Sequence, residues 1–404
     1  MHVVETWRPL STGYTSRGWH IVAAQTVSGA CRAHVLVSSR QARRGAEGAD
    51  MPSGPGAGTA YVARRASTER WLGHYRPEHI AVGSLANDII HACRDAQIDI
   101  IHCHWSSGIG SAARRAAERL DIPLIAEVRF DLAGAVMSET VGRRVAGLEQ
   151  LLRLRFERHL LGADAVVAAS HSLARLIAKS QPLLRAPIVT MPNAVDCHRF
   201  QPAPDTCGLR RALGIAKSDF VIGSTTNMLR YEGLDVLLDA VERLQDRLPA
   251  LHVVLVGTGT QHAWLAGEVA RRGLPVTFTD QVPADDIPSY LAMFDLFVVP
   301  RRDAAITRFA SPIKLVEAMA SGLACVGSAL GDIVDLLADE RGLVVPPDDA
   351  ACLAEAIADL AEHPERRQLL GANARAWIES QPDWRALAAD YNALYSDVLE
   401  QRRL

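Results

Sequence analysis

Short apolar runs alternate with amphipathic stretches along most of the chain. The runs at His2–Glu5, Ala33–Ser38, Ile98–Cys103, Pro123–Val128, Ala165–Ala169 and Ile188–Met191 are largely continuous, the mark of strands buried on both faces. Between them, Trp19–Ser28, Leu85–Asp95, a segment after Gly110 and residues 138–160 predict helices. Arg8–Arg17 reads as a strand-to-helix loop, and Gln41–Ala60, rich in Gly, Pro and Ala, as a mobile surface loop. A proline-bearing linker follows at residues 201–207, QPAPDTC. The alternation then restarts. Strands are predicted at Phe220–Ser224, His252–Gly257, Pro275–Thr279, Leu296–Pro300 and Leu323–Ser328, with helices near 232–247, 260–272, 285–292 and 312–320. This predicts an α/β protein with parallel, doubly wound sheets. At 404 residues the chain exceeds one ordinary core, so two Rossmann-like domains are expected, residues 1–200 and 208–382.

The stretch from Arg301 to Leu337 concentrates the candidate chemistry. Ser311-Pro312 reads as an N-cap followed by proline at the first helical position, and Gly322 as the residue that ends the helix. Lys314 and Glu317 share one helix face, three residues apart. One cation for a diphosphate and one carboxylate for a ribose diol, beside unpaired amides, is the functional reading. A solvated Lys–Glu pair on an amphipathic helix is the competing one. Other strand-end segments carry Gly13, His104, Glu127, Arg129, Asn193, Asn227, Arg230, Gly257, Arg301 and Arg308, and two facing domains would open these onto one basic cleft. His102 and His104 share a strand face but lack a third ligand at matching spacing, so no metal is expected. His102 reads as a core residue and His104, further out, as a substrate contact. Gly257-Thr-Gly259 lacks the third glycine of a dinucleotide fingerprint, and neither a P-loop nor a Gly-x-Ser-x-Gly elbow occurs. Nicotinamide, P-loop and hydrolase chemistries are disfavoured.

Composition adds little to the fold and something to the setting. The chain is 49% hydrophobic and 22% charged, with no apolar run approaching the about 20 residues of a membrane span. No secretory leader pattern opens it, and its seven cysteines are scattered singly, so a cytoplasmic protein with reduced thiols is expected. Residues 1–200 hold 24 Lys+Arg against 17 Asp+Glu, whereas the remainder is net acidic, an asymmetry that suits an anion-binding cleft or attraction between domains. Lysine occurs only at 179, 217 and 314.

The segments SPIKLVEAMASG…SALGDIVDLL, MPNAVDCHRFQP, HVVLVGTG and IIHCHW resemble the signature of retaining family 4 glycosyltransferases of the GT-B fold. A narrower likeness, through STGYTSR, AEVR, YEGLD and SPIKLVEAMA, is to the exosortase-associated glycosyltransferases. The resemblance implies that Glu317 holds the nucleotide ribose. The first acid of the family's Glu-x7-Glu pair falls on Phe309, and its phosphate-binding Arg and Lys fall on Asn227 and Glu232. Arg230, Arg301 or Arg308, with Lys314, is expected to replace those cations. The donor site so implied comprises Gly13, Asn227, Arg230, Gly257, Gln281, Val282, Arg301, Arg308, Ser311, Ile313, Lys314, Glu317 and Gly331. The acceptor side comprises Tyr14, Thr15, Arg17, His104, Trp105 and Arg129. His104, Arg129 and Lys314 are the expected catalytic contributors, Arg129 by touching acceptor or phosphate rather than only pairing with Glu127. A helix over about 383–404 is expected to return to the first domain. The implied reaction is front-face transfer with retention from a GDP- or UDP-linked sugar to a small-molecule or glycan acceptor, without metal or other cofactor. Nucleic acid is not an expected partner, membrane contact is at most peripheral through the Arg-rich 143–158 segment, and homodimerisation is left open. The alternatives are a GT-B epimerase and a non-catalytic nucleotide-sugar-binding subunit.

Overall fold

The structure is a computed structural model that describes all residues except 6, 8–12, 39–48, 64–77, 105–106, 132, 134–153, 155–157, 204–207 and 404. It forms two compact units, one of Met1–Asn193 with Trp384–Leu404 and one of Ala194–Asp383. In the first, strands β1 (His2–Val4), β2 (Ala33–Val37), β3 (Ala57–Val62), β4 (Ile101–His104), β5 (Leu124–Val128), β6 (Ala165–Ala168) and β7 (Ile188–Thr190) form one sheet. Its order is β3-β2-β1-β4-β5-β6-β7 and every pairing is parallel. Parallel neighbours need crossovers. Helices α1 (Gly13–Ser28), α2 (Glu78–Ala96), α3 (Ser107–Leu120) and α4 (His171–Ser180) supply four of them.

The second unit repeats the plan. Strands β8 (Phe220–Thr225), β9 (Leu251–Val256), β10 (Val276–Phe278), β11 (Leu296–Val299), β12 (Ala324–Ser328) and β13 (Leu343–Val345) pair in parallel in the order β10-β9-β8-β11-β12-β13. Its helices are α5 (Gly208–Ala212), α6 (Leu234–Leu244), α7 (His262–Arg272), α8 (Ile287–Ala292), α9 (Ile313–Ala320), α10 (Asp332–Leu337), α11 (Ala350–Glu362) and α12 (Pro364–Glu379). Successive residues of one strand feed opposite cores. Ile222, Val253, Leu296 and Val298 pack with α6 and α11, whereas Val221, Val254, Phe297 and Val299 pack with Leu315 and Met319 of α9. That two-sided burial is why the strands read as unbroken apolar runs.

Several expectations change. Helix α1 begins at Gly13, so Thr15 and Arg17 belong to a helix and not to a loop. Both are buried polar residues, and their polarity disguised the helix. Ala57–Ala60 lies in edge strand β3, whose residues are half-buried or exposed and therefore show no apolar pattern. Residues 230–232 form a short 3-10 turn before α6, which starts at Leu234. Pro312 occupies the N-cap of α9, one place earlier than expected. At the other end of α9, Gly322 (φ +73°) and Leu323 donate to Met319 O and Ala318 O, the pair of bonds that closes a helix in a Schellman turn. The first unit ends at Asn193 and not at residue 200, because Val195 and Phe200 are buried in the second core and Arg375 donates to the Cys197 carbonyl. The 41–48 part of the expected surface loop, most of the 138–160 helix and residues 204–207 of the linker lie outside the described residues.

Helix α13 (Trp384–Arg403) completes the first unit, and a buried ion-pair node fastens it. Arg17 uses all five guanidinium N–H groups: to Glu127 Oε1 (3.0 Å), Pro192 O (2.8 Å), Asn193 Oδ1 (3.1 Å), Met191 O (2.7 Å) and Tyr391 Oη (3.0 Å). The Tyr391 hydroxyl in turn donates to Glu127 Oε2 at 2.5 Å. Tyr391→Phe removes a donor from a fully buried carboxylate and an acceptor from a buried arginine. It is expected to lower stability by about 1–3 kcal/mol, read as a fall in the urea midpoint at unchanged slope.

Candidate active site

In doubly wound sheets the ligand crevice lies at the carboxyl ends of strands where the order reverses. In the second unit that point lies between β8 and β11. The segment after β8 carries Thr226 and Glu232, the segment after β11 carries Arg301, and α9 carries Lys314 and Glu317. Two glycines let neighbouring loops close on this edge. Gly257 (φ +124°) donates its N–H to Asp280 O, and a Cβ there would lie 2.1 Å from Thr226 O. At Gly331 (φ +47°) a Cβ would lie 2.5 Å from Arg308 O. The segments bearing Asn227, Gly257, Gln281, Val282, Arg308 and Gly331 are thus brought to one end of the sheet, as expected.

The charges do not form the solvated Lys314–Glu317 pair of the competing reading. Lys314 Nζ donates to Glu232 Oε2 (2.7 Å) and Thr226 Oγ1 (3.0 Å), not to Glu317. Arg301 Nε and Nη2 face the two Glu232 oxygens at 3.5 Å each, and its Nη1 donates to Ala310 O at 2.7 Å. Burial alone would push the Glu232 carboxyl up. Lys314 and then Arg301 outweigh it and bring it down to about 2. Glu317 shows the opposite balance: it is half-buried, and burial raises its carboxyl to about 7 against weaker opposition from Arg199 and Lys314. Arg308 is committed to Asp303 through two contacts, Nε–Oδ1 at 2.5 Å and Nη2–Oδ2 at 2.6 Å, so it is not a spare cation. Arg230 is exposed and lines a surface cavity of about 390 Å³ with Leu229, Asp235, Gln261 and Trp264.

The switch point of the first unit, between β1 and β4, holds a second polar assembly. His104, expected to lie further out than His102, is completely buried, and Arg129 pairs with Glu127 Oε1 at 2.6 Å. Arginine can only donate, and that sets one consistent pattern of protons along the chain of contacts that follows. Arg129 Nη2 donates to His104 Nδ1, so His104 carries its proton on Nε2 and donates to His2 Nδ1 (2.8 Å). His2 Nε2 then donates to Gln25 Oε1 (2.8 Å), Gln25 Nε2 to Tyr395 Oη (3.2 Å), and the Tyr395 hydroxyl to His102 Nδ1 (2.7 Å). His102 is left with its proton on Nε2, 3.3 Å from Glu127 Oε2. All three imidazoles are neutral in this pattern. For His104, burial and then Arg129 lower the pKa to about 3. Among the described residues, His2, His102 and His104 are the one group whose ligating atoms lie close enough for an ion. His2, from β1, supplies the third nitrogen that the spacing lacked, but in these tautomers each Nδ1 accepts a hydrogen bond, each Nε2 carries a proton and an arginine abuts the group, so no lone pair faces a cation.

Thr15, Arg17, His104 and Arg129 therefore turn inward, and they build the framework of the first unit where direct acceptor contact was expected. Trp105 and the Tyr14 side chain lie outside the described residues. Sequence reasoning missed Tyr391, Tyr395, Gln25 and Thr226 as site-building residues. The tyrosines at 391 and 395 are four apart on a helix, the one local signal that they share a face.

With this geometry in place, the comparisons are consistent. Residues 22–199 match the model described as Glycosyltransferase Family 4, and residues 219–363 the one described as Glycosyl transferases group 1. A GDP-mannose-dependent alpha-(1-6)-phosphatidylinositol monomannoside mannosyltransferase of Mycolicibacterium smegmatis is 28% identical over 282 residues, 67% of this chain and 73% of that protein. The lipopolysaccharide core biosynthesis mannosyltransferase LpsB of Rhizobium meliloti is 25% identical over 313 residues, 73% of this chain and 84% of that protein. In fold, the chain superposes on the sucrose-phosphate synthase of Thermosynechococcus elongatus with a TM-score of 0.79 at 18% identity, over 99% of this chain and 100% of that one. The chain is a glycosyltransferase of the GT-B fold, with the family 4 model matching within its first 199 residues. These relatives carry transferase or synthase names, which favours neither the epimerase nor the non-catalytic alternative.

The Glu317 environment has a measurable consequence. An unfolded glutamate titrates near 4.3, whereas the folded one keeps its proton to about 7. Between those values the folded state binds more protons, so this residue's contribution to stability is present below about pH 4 and is lost as pH rises through 7. Urea midpoints at pH 5 and pH 8 are expected to fall more with pH in the wild type than in Glu317→Gln. Equal falls would contradict the assignment.

Proposed function

We propose that the chain is a retaining glycosyltransferase that takes a GDP- or UDP-linked sugar as donor and transfers it to a glycan or small-molecule acceptor without a metal ion. The observation that carries this reading is the Lys314–Arg301–Glu232 assembly at the amino end of α9, with Glu317 one turn further along the same helix. One carboxylate against two cations leaves a net positive charge beside the amino end of a helix, which suits a diphosphate. The Gly331 segment adds amides, and the 280–283 segment, tied to Gly257 through the Asp280 carbonyl, is the one that meets the base. The names of the mannosyltransferase relatives put GDP-mannose first among donors.

Transfer then proceeds at one face of the sugar. Lys314 and the first-turn amides of α9 stabilise the charge that develops on the departing phosphate, and that phosphate helps to remove the acceptor proton. No protein nucleophile is needed, which agrees with carboxylates that are either ion-paired (Glu232) or held near neutrality (Glu317). Arg301 takes the part of a replacement cation; Arg308, fixed to Asp303, does not. The network around Glu127 shapes the first unit's strand ends, where acceptor contacts belong. The acceptor classes in the relatives' names are glycolipid and lipopolysaccharide, so a lipid-linked glycan is admitted beside a soluble acceptor. Among the described residues no helix is long and apolar enough to cross a membrane, and a cytoplasmic location with peripheral membrane contact belongs to this proposal. So does the narrower likeness to exosortase-associated glycosyltransferases, which rests on STGYTSR, AEVR, YEGLD and SPIKLVEAMA.

Donor turnover with and without acceptor tests the reading, since transfer requires both and epimerisation only the donor. With GDP-mannose and the UDP-sugars as donors, Lys314→Ala is expected to lose about 10- to 100-fold in kcat/KM, the size of one charge-assisted contact. Nuclear magnetic resonance of the product is expected to show the donor's anomeric configuration retained. An unchanged donor KM and kcat in Lys314→Ala would remove the lysine from the site.

A further inference from the structure

Glu232 is a buried carboxylate for which the transfer reaction has no direct use. It is 6% exposed, lies at the end of the turn after β8, and is ligated from two other segments. Lys314 reaches it from α9 at 2.7 Å, and Arg301 reaches it from the segment after β11 at 3.5 Å. Thr226, just after β8, takes a second Lys314 proton at 3.0 Å. An ammonium has three N–H groups, so one remains for a ligand. Arg301 is held from its far side by the Ala310 carbonyl, so neither cation is free to swing away.

We infer that Glu232 is a positioning residue of the donor site: it holds Lys314 and Arg301 together at the amino end of α9 and sets where a diphosphate can be gripped. The inference rests on the donor-site reading above. Two like charges brought together at a buried edge repel each other, and desolvation penalises both. One carboxylate between them removes that repulsion and leaves a single net positive charge in a fixed place. The groups facing Lys314 bear this out. Burial pushes its proton off and Arg301 adds to that, whereas Glu232 opposes both, joined by Glu317 from its own helix. Thr226 is neutral. Without the Glu232 charge, burial and Arg301 act against Glu317 alone.

The test uses the full chain labelled with carbon-13 at the lysine ε position. Lysines occur at 179, 217 and 314 only, so three signals are followed, and Lys314→Arg assigns the one of interest. Glu232→Gln keeps the shape and an acceptor oxygen; Glu232→Asp keeps the charge. In Glu232→Gln the Lys314 titration midpoint is expected to fall by at least about one pH unit. Glu232→Asp is expected to recover part of that, with an unchanged far-ultraviolet circular dichroism spectrum and an unchanged slope of urea unfolding as the checks that the fold is intact. Calorimetry with GDP and with UDP accompanies it. For the diphosphate that wild type binds, the deficit of Glu232→Gln is expected to widen from pH 7 to pH 9. An unmoved Lys314 midpoint with the fold intact overturns the positioning role whatever the binding data show. A wild type that binds neither diphosphate, even with the midpoint shifted, overturns the donor-site reading itself.

Discussion

A buried carboxylate clasped by two cations is the constraint on which each unit depends. In the first unit Glu127 sits between Arg17 and Arg129; in the second, Glu232 sits between Arg301 and Lys314. Such groups contribute little net stability compared with an apolar core, yet removing one partner strands a charge and costs about 3–5 kcal/mol. Their effect is to specify positions. Glu127 ties β5, α1 and α13 into one arrangement, and Glu232 ties the segments after β8 and β11 to the start of α9. Both lie at strand carboxyl ends beside the place where the sheet order reverses, where an open α/β sheet has no crossover to fill the space.

Much of this was legible in the sequence. Strands buried on both faces write themselves as apolar runs, so β4, β5, β8, β9, β11 and β12 were found within a residue or three. The Gly322 terminus of α9 was also plain, because only a left-handed residue closes that turn. Edge strand β3 was not, since half-exposed Ala and Gly carry no pattern. The start of α1 was hidden because Thr15 and Arg17 are polar yet interior, their polarity answered by partners far along the chain.

The same limit applied to the site. Lys314 and Glu317 were found by helical spacing, a local rule, but the partner of Lys314 lies 82 residues earlier and no local rule reaches it. Glu232 looked like the loss of a cation when it is the residue around which two others gather. His104 was expected outside His102 because it is nearer the strand end. A central strand of a parallel sheet is covered on both faces to its last residue, and both histidines went into the interior network. Backbone placement at Gly257 and Gly331 follows from local geometry, whereas long side chains choose among several partners, as Arg129 does with Glu127 and Arg308 with Asp303.

A crystal structure of the chain with a bound nucleoside diphosphate tests the central claim most directly. The expected result is a phosphate oxygen within hydrogen-bonding distance of Lys314 Nζ, the Glu232 contact still made, and the Glu317 carboxylate against the ribose hydroxyls. A diphosphate bound away from the amino end of α9, or a Glu317 carboxylate that does not meet the ribose, would contradict the account.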